Sequence, residues 1–280
     1  SDLSPEFARD LVAAIAAGAS LDCGSGKIVA IPTAALPALL PEDLDEAEVR
    51  RTATEGSNYT MLVGETLFLK AFRRLRPGIH PEWEMGRFLT EVSPCRAVVP
   101  MAGAIELRES TEQTTLVLLQ GAVANQGDGW RHTLQYLERA IDDAVTRSAD
   151  GAMALVDHEG YLLRVRALAA RTAEMHRALA YRSGDPAFDP EPLDAAHLER
   201  WASRIESELD GTLRLLHERL PALPEDARVA GYAAIDGAAP LLAEIETLQR
   251  MRVSGLCTRY HGDYHLGQVL FARNDFVITD

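Results

Sequence analysis

Lysine is nearly absent from this sequence: only Lys27 and Lys70 are lysines among its 28 basic residues. Because arginine is used almost everywhere else, a lysine inside an apolar strand calls for an explanation. Lys70 lies in such a segment, Leu67-Phe-Leu-Lys-Ala-Phe72. An ammonium group is costly to bury alone, so we expect Lys70 to meet a carboxylate and, in function, phosphate oxygens. The plainer interpretation is a lysine on an edge strand that reaches solvent.

Excess positive charge, long apolar runs and clustered cysteines are also missing. The formal net charge of −14 argues against nucleic acid and anionic membranes as partners, since binding to a phosphate backbone rests on clustered basic residues. No apolar run approaches the ~18 residues that a membrane-spanning helix needs. The three cysteines, Cys23, Cys95 and Cys257, have no metal-ligand spacing, which predicts reduced core thiols in a cytoplasmic protein.

The spacing of apolar residues predicts an α+β fold. We divide the chain into an amino-terminal extension (1–50), a β-rich lobe (51–124) and a helical lobe (125–280). About five strands are expected before residue 122, and a proline-punctuated acidic segment at 35–49 is predicted to be a solvated linker. The predicted strands are 27–31, 59–63, 66–72, 102–108 and 114–119; the predicted helices are 5–17, 82–91, 130–145, 162–181, 198–220 and 240–252. A loop containing Pro221 and Pro224 separates the last two helices.

The carboxyl-terminal stretch carries the strongest chemical pattern. An apolar strand at 256–260 leads into a polar turn with Asp263 and Gln268, five positions apart, and the strand at 276–279 ends on Asp280. In a kinase catalytic loop, a base aspartate precedes a metal-binding amide by five residues, and a second metal-binding aspartate closes a nearby strand. We therefore predict Asp263 as the base and Gln268 and Asp280 as magnesium ligands. The plainer interpretation is an ordinary acidic turn.

Other residues are candidates for binding a nucleotide. Ser57 and Asn58 precede the first predicted hairpin, where they either donate hydrogen bonds to phosphate or form a turn. Backbone groups near Gln120 to Ala122 are expected to reach an adenine edge. Either Glu82 or Glu84, at the start of the helix that Pro81 introduces, can pair with Lys70, and spacing leaves this choice open.

Several motifs together resemble the maltokinases, within the superfamily of aminoglycoside phosphotransferases and protein kinases. They cover the chain from about residue 50 to its end. The residues that carry the resemblance are Glu55-Gly-Ser-Asn58, Leu69-Lys-Ala-Phe-Arg-Arg74, Pro77-Gly-Ile-His-Pro-Glu-Trp-Glu84, Asn125-Gln-Gly-Asp-Gly-Trp130, Arg171-Thr-Ala-Glu-Met-His176 and His261-Gly-Asp-Tyr-His-Leu-Gly-Gln268.

The resemblance implies a bilobal protein-kinase-like fold and ATP- and Mg²⁺-dependent phosphorylation of maltose to maltose 1-phosphate. A fused or associated trehalose synthase is the implied partner. Position by position, Lys70 resembles the lysine that binds the α- and β-phosphates, and Glu84 resembles its helix partner. Family members usually continue well past the residue equivalent to Asp280 and carry an amino-terminal cap, so an incomplete helical lobe that lacks much of the sugar pocket is expected.

Two alternatives accompany this hypothesis. One is another small-molecule kinase of the same fold, acting on an aminoglycoside, choline or amino alcohol, and a cationic acceptor would suit the acidic composition. The other is a non-catalytic module that binds nucleotide or glucan for a fused enzyme.

Overall fold

The first half of the chain builds one antiparallel sheet of seven strands in the order β1-β2-β6-β7-β5-β4-β3. The computed structural model describes residues 3–24, 26–52, 58–149 and 158–279. The strands are β1 (Ser20–Cys23), β2 (Gly26–Pro32), β3 (Val49–Arg51), β4 (Tyr59–Val63), β5 (Leu67–Ala71), β6 (Met101–Arg108), β7 (Gln113–Gly121), β8 (Glu191–Pro192), β9 (Leu256–Cys257), β10 (Val269–Ala272) and β11 (Asp275–Ile278). The helices are α1 (Pro5–Ala16), α2 (Pro81–Arg87), α3 (Gly129–Ala149), α4 (Glu159–Leu179), α5 (Ala195–Arg219), α6 (Glu225–Asp236) and α7 (Ala238–Arg250).

All predicted strands of the sheet are confirmed, but the expected number was too small. The two additional strands are β1, which is exposed along its whole length, and the three-residue β3 next to the predicted linker. Neither carries enough alternation of buried and exposed residues to give a period-2 pattern. Both lie at the edges of the sheet. The three-part division of the chain at residues 50 and 124 remains a prediction.

Both faces of the sheet are covered by apolar packing. On one face α1 buries Val12 and Ile15 against strand residues such as Leu69. On the other face α2 buries Trp83 against Met101 and Leu118. Proline at the first position of α2 fits because that position needs no intrahelical amide bond. Burial on both faces fixes the strand that carries Lys70.

A third core joins α4 to the β10–β11 hairpin. Met175 and Leu179 of α4 pack with Phe271 and Ile278, and β10 pairs with β11 in antiparallel register. A two-residue turn connects the strands, with both residues at positive φ, as type I′ hairpin turns require. This hairpin directly follows the predicted catalytic loop.

The chain divides into two units, Ser1–Phe188 with Arg259–Asp280, and Asp189–Thr258. The second unit contains α5, α6 and α7 and the short pairing of β8 with β9. The loop predicted between the last two helices is wrong in part, because the helix α6 forms within it. Pro224 stands just before the first residue of α6. The strand predicted at 256–260 is confined to β9.

The cysteines follow the core-thiol prediction only in part. Cys95 is buried, and burial raises the pKa of its thiol. Cys23 is exposed on the edge strand β1, so the prediction of a core position is wrong for this residue.

Candidate active site

Lys70 is held in the middle of the sheet by a carboxylate. Strand β5 lies between β4 and β7, which excludes the edge-strand interpretation. The Lys70 ammonium nitrogen is 2.8 Å from Glu82 Oε2, and the two side chains are only 14% and 9% exposed. Gln120 Nε2 donates a 2.7 Å hydrogen bond to the other carboxylate oxygen of Glu82. The three side chains form one largely buried polar group on the α2 side of the sheet.

The partner of Lys70 is Glu82, and the assignment of Glu84 to this role is wrong. Trp83 turns toward the sheet, where it is 3% exposed. Because successive helix residues are about 100° apart, the glutamates on either side of Trp83 diverge. Glu82 reaches Lys70, whereas Glu84 Oε1 accepts a hydrogen bond of 3.4 Å from Arg259.

Gln268 lies beside the end of strand β11. The amide of Thr279 donates a 2.8 Å hydrogen bond to the Gln268 carbonyl, and the Thr279 hydroxyl is 3.4 Å from Gln268 Oε1. This neighbourhood follows from the hairpin register, in which Val269 faces Ile278. Asp280, the residue after Thr279, lies outside the described residues, so its role as a magnesium ligand stays a prediction.

Asp263 is exposed on a loop in which His261 and Tyr264 make hydrogen bonds to other elements. Its side chain is 81% exposed and lies 3.9 Å from His265 Nε2. His261 Nε2 donates to the carbonyl of Thr279 at 2.9 Å. The hydroxyl of Tyr264 is 2.6 Å from Thr172 Oγ1 in α4. These contacts anchor the loop on both sides of Asp263 and leave its carboxylate exposed.

The segment from Asn125 to Trp130, which lies at the predicted boundary between the two lobes and carries part of the family resemblance, contacts the same loop and the strand that follows it. The amide of Gln126 donates to the Phe271 carbonyl at 2.8 Å, and the Phe271 amide donates back to Gly127 at 2.9 Å. A Cβ at Gly129 would lie 3.0 Å from the carbonyl oxygen of Leu266. Gly129 therefore lets the segment lie close against β10 and the predicted catalytic loop.

The backbone near Gln120 to Ala122 is already committed inside the sheet. The amide of Gly121 donates to Pro100 at 2.9 Å, and the amide of Ala122 donates to Thr66 at 2.7 Å. These two amides are therefore not available as donors to an adenine ring. A contact of Gln120 or Ala122 with adenine stays a prediction. Such a contact would have to use groups other than these two amides.

Ser57, which is predicted to bind phosphate, lies outside the described residues. Asn58 is partly buried just before β4, and its contact with phosphate remains a prediction.

The chemistry of Gln268 fits magnesium, although only part of the predicted site is described. Its Oε1 is a neutral oxygen ligand of the type that Mg²⁺ accepts, and its described neighbour is the Thr279 hydroxyl. Within residues 3–24, 26–52, 58–149 and 158–279, no three His, Cys, Asp or Glu side chains cluster as metal ligands would. None of the helices in the described part of the chain combines the length and apolar character of a membrane span.

The sheet, α2 and the β10–β11 hairpin belong to an α+β fold that aligns with solved structures of glucosamine kinases. One is a glucosamine kinase in complex with glucosamine, ADP and inorganic phosphate, with a TM-score of 0.56 and 23% identity; the alignment covers 100% of this chain and 57% of that one. A second glucosamine kinase structure, crystal form B, gives a TM-score of 0.59 and 21% identity over 100% of this chain and 56% of the other. At these identities the likeness shows the fold.

A curated relative has the same activity in its name. Glucosamine kinase from Streptacidiphilus jiangxiensis is 29% identical over 180 residues, which are 64% of this chain and 34% of the relative. No family model matches the chain. The chain spans a third of the length of this relative and somewhat more than half of the solved structures. These similarities favour the alternative of another small-molecule kinase over maltokinase itself.

Proposed function

We propose that this chain forms the nucleotide-binding and catalytic-loop part of an ATP-dependent sugar kinase that acts on an amino sugar such as glucosamine. The observation that carries the proposal is the largely buried pair of Lys70 and Glu82, in a fold that aligns along its whole length with glucosamine kinases. A buried ion pair costs desolvation free energy, and a phosphate-binding role accounts for its retention.

In this proposal Asp263 is the general base. The hydroxyl oxygen of the sugar attacks the terminal phosphorus of ATP, the hydroxyl proton passes to the Asp263 carboxylate, and the bond from phosphorus to the bridging oxygen breaks so that ADP leaves with its electron pair. Exposure of the carboxylate supports this role, because the acceptor has to approach it within hydrogen-bond distance.

Lys70 binds the phosphates of the nucleotide in this scheme. Glu82 holds the ammonium group in place, and Gln120 holds the carboxylate, so little rearrangement is needed when the nucleotide arrives. Magnesium, when bound by Gln268 and Asp280, supplies positive charge that neutralises the phosphates.

Two observations favour a cationic amino sugar as the acceptor. Glucosamine is the substrate in the names of the relatives, and the net charge of −14 attracts a protonated amine. Maltose remains the second candidate because the motif Asn125-Gln-Gly-Asp-Gly-Trp130 resembles maltokinases. A fused or associated trehalose synthase belongs to that second candidate.

The test measures ATP consumption by the protein that the natural reading frame encodes, with these residues in it. Glucosamine, maltose, glucose, kanamycin and choline are compared as acceptors, with ADP release coupled to NADH oxidation. We expect the highest kcat/KM with glucosamine. A preference for maltose would show that the proposed acceptor is wrong. ATP binding without turnover of any acceptor would contradict the proposed enzyme and favour a non-catalytic binding module.

A further inference from the structure

We propose that Glu84 and Arg259 are positioning residues, whose ion pair ties α2 to the start of the catalytic loop. This inference rests on the proposed phosphoryl transfer. Arg259 lies two residues before His261, and its Nη2 is 3.4 Å from Glu84 Oε1. The side chains are 39% and 23% exposed, and they are 175 positions apart in sequence.

The guanidinium group of Arg259 is fixed by two other contacts. Its Nε donates a 2.7 Å hydrogen bond to the carbonyl of Ala187, and its central carbon lies 5.1 Å from the ring centroid of Phe188. A planar guanidinium that is stacked and bonded at Nε has little freedom left. Its terminal nitrogen is therefore aimed at Glu84 before any ligand binds.

An aromatic stack provides a second link between the helical segment that contains Glu84 and the contacts of Arg259. Phe88, one helical turn after Glu84, stacks on Phe188 with ring centroids 4.1 Å apart and an interplanar angle of 3°. Residues four apart share a helix face, so Glu84 and Phe88 face the same neighbour. Glu84, Phe88, Phe188 and Arg259 form a closed circuit of contacts, which we call the α2 clamp.

The α2 clamp connects the two halves of the candidate site. On one side of α2, Glu82 holds Lys70 at 2.8 Å. On the other side, Glu84 holds Arg259, and His261 two residues later donates to the Thr279 carbonyl. A rotation of α2 would move the phosphate-binding lysine and the start of the catalytic loop together. The clamp thus sets the distance between the nucleotide phosphates and Asp263.

A plain surface ion pair is the competing explanation. Exposed pairs contribute about 0 to 1 kcal/mol to stability and often nothing measurable, and removing one should leave catalysis unchanged. Arg204 and Glu208 of α5 are such a pair, at 2.9 Å with 80% and 67% exposure. Glu208→Gln is therefore a matched control for Glu84→Gln.

The experiment measures kcat and KM for ATP in Glu84→Gln, Arg259→Gln, the double variant and Glu208→Gln. All four are made in the protein that the natural reading frame encodes. We expect each single variant to lower kcat about fivefold, and the double variant to lower it no further, because coupled residues are non-additive. KM for ATP should change less than about twofold, since Lys70 keeps its partner. Glu208→Gln should match the wild type.

Two results would overturn the clamp while leaving the proposed function intact. One is a wild-type kcat in both single variants. The other is a double variant whose loss is the product of the single losses, which indicates independent effects. Melting curves followed by circular dichroism identify variants that are misfolded, and for these Glu84→Asp and Arg259→Lys replace the glutamines. If the wild type turns over no acceptor, the proposed function fails, and the clamp fails with it.

Discussion

Gln268 and Thr279 lie side by side at the open end of the β10–β11 hairpin, joined by a 2.8 Å backbone hydrogen bond and a 3.4 Å contact between the hydroxyl and the amide oxygen. The amide predicted to bind magnesium is therefore adjacent to the residue that precedes Asp280. The hairpin register, in which Val269 faces Ile278, places the two residues next to each other.

The first prediction concerns magnesium. Gln268→Ala should raise the magnesium concentration needed for half-maximal activity by at least about tenfold, because an oxygen ligand is lost. Titration of activity with MgCl₂ at saturating ATP measures this shift. Gln135→Ala, on the exposed surface of α3, is the control and should match the wild type. An unchanged magnesium requirement in Gln268→Ala would remove Gln268 from the metal site.

The second prediction concerns the buried ion pair. Glu82→Ala removes the carboxylate that Lys70 and Gln120 share, and it should lower the free energy of unfolding by about 3 kcal/mol, as breaking a buried pair does. Lys70→Met combined with Glu82→Leu should recover part of the loss, since no buried charge is left, while the Gln120 amide still loses the carboxylate to which it donates. Urea denaturation measures both. A loss below about 1 kcal/mol in Glu82→Ala would mean that the pair is solvated.

The third prediction concerns Asp263, the proposed general base. Asp263→Asn keeps the shape of the side chain but cannot accept the hydroxyl proton, so kcat should fall by a factor of about 10² or more. ATP affinity, measured by calorimetry, should stay close to that of the wild type, because Lys70 is untouched. A kcat near the wild-type value would exclude Asp263 as the base.

The sequence predicted the elements of this site better than their pairing. An apolar strand with one lysine, a proline that begins a helix and the Asp263 to Gln268 spacing are local patterns, and each lies in the element predicted for it. Whether Glu82 or Glu84 reaches Lys70 depends on Trp83 packing against the sheet, which is a tertiary contact. The resemblance to a family favoured Glu84, and the packing overturned it.

Long-range contacts explain the rest of what the sequence did not predict. Arg259 and Glu84 are 175 positions apart, and no periodicity links them. The hydrogen bond from the Gln120 side chain to Glu82 is also a long-range contact, although a glutamine after Leu118 and Leu119 in a buried strand is itself a signal. A buried amide in such a position needs a polar partner.

The fourth prediction concerns the pH dependence of the second unit. His197 lies between two carboxylates, with Nε2 3.1 Å from Glu191 and Nδ1 2.8 Å from Asp194. Hydrogen bonds to Glu191 and then to Asp194 raise the pKa of His197, while burial and Arg200 oppose the rise. The stabilisation by the charged imidazole is therefore fully present below the unfolded pKa of about 6.5 and is lost as the pH rises through the native pKa.

Urea denaturation at about pH 6 and about pH 8.5 tests this dependence. The wild type should lose stability at the higher pH, and His197→Gln should lose less. His217→Gln, exposed on the same helix α5, should behave as the wild type does. An NMR titration of the His197 ring follows the group directly, and a midpoint at or below about 6.5 would contradict the raised pKa.

The last prediction separates two glycines that differ only in their surroundings. A Cβ at Gly129 would lie 3.0 Å from the Leu266 carbonyl and 3.2 Å from a Val269 methyl, whereas a Cβ at Gly160 meets nothing within 4 Å. Gly160→Ala in the first turn of α4 should stabilise the protein by up to about 1 kcal/mol through helix propensity. Gly129→Ala has to displace Leu266 by a few tenths of an ångström, and we expect this displacement to reach Asp263, the proposed base. We expect kcat to fall about tenfold in Gly129→Ala, since misplacement of reacting groups is costly, while KM for ATP and the Gly160→Ala kinetics stay near wild type. Equal kinetics in the two variants would show that the segment from Asn125 to Trp130 does not support the loop.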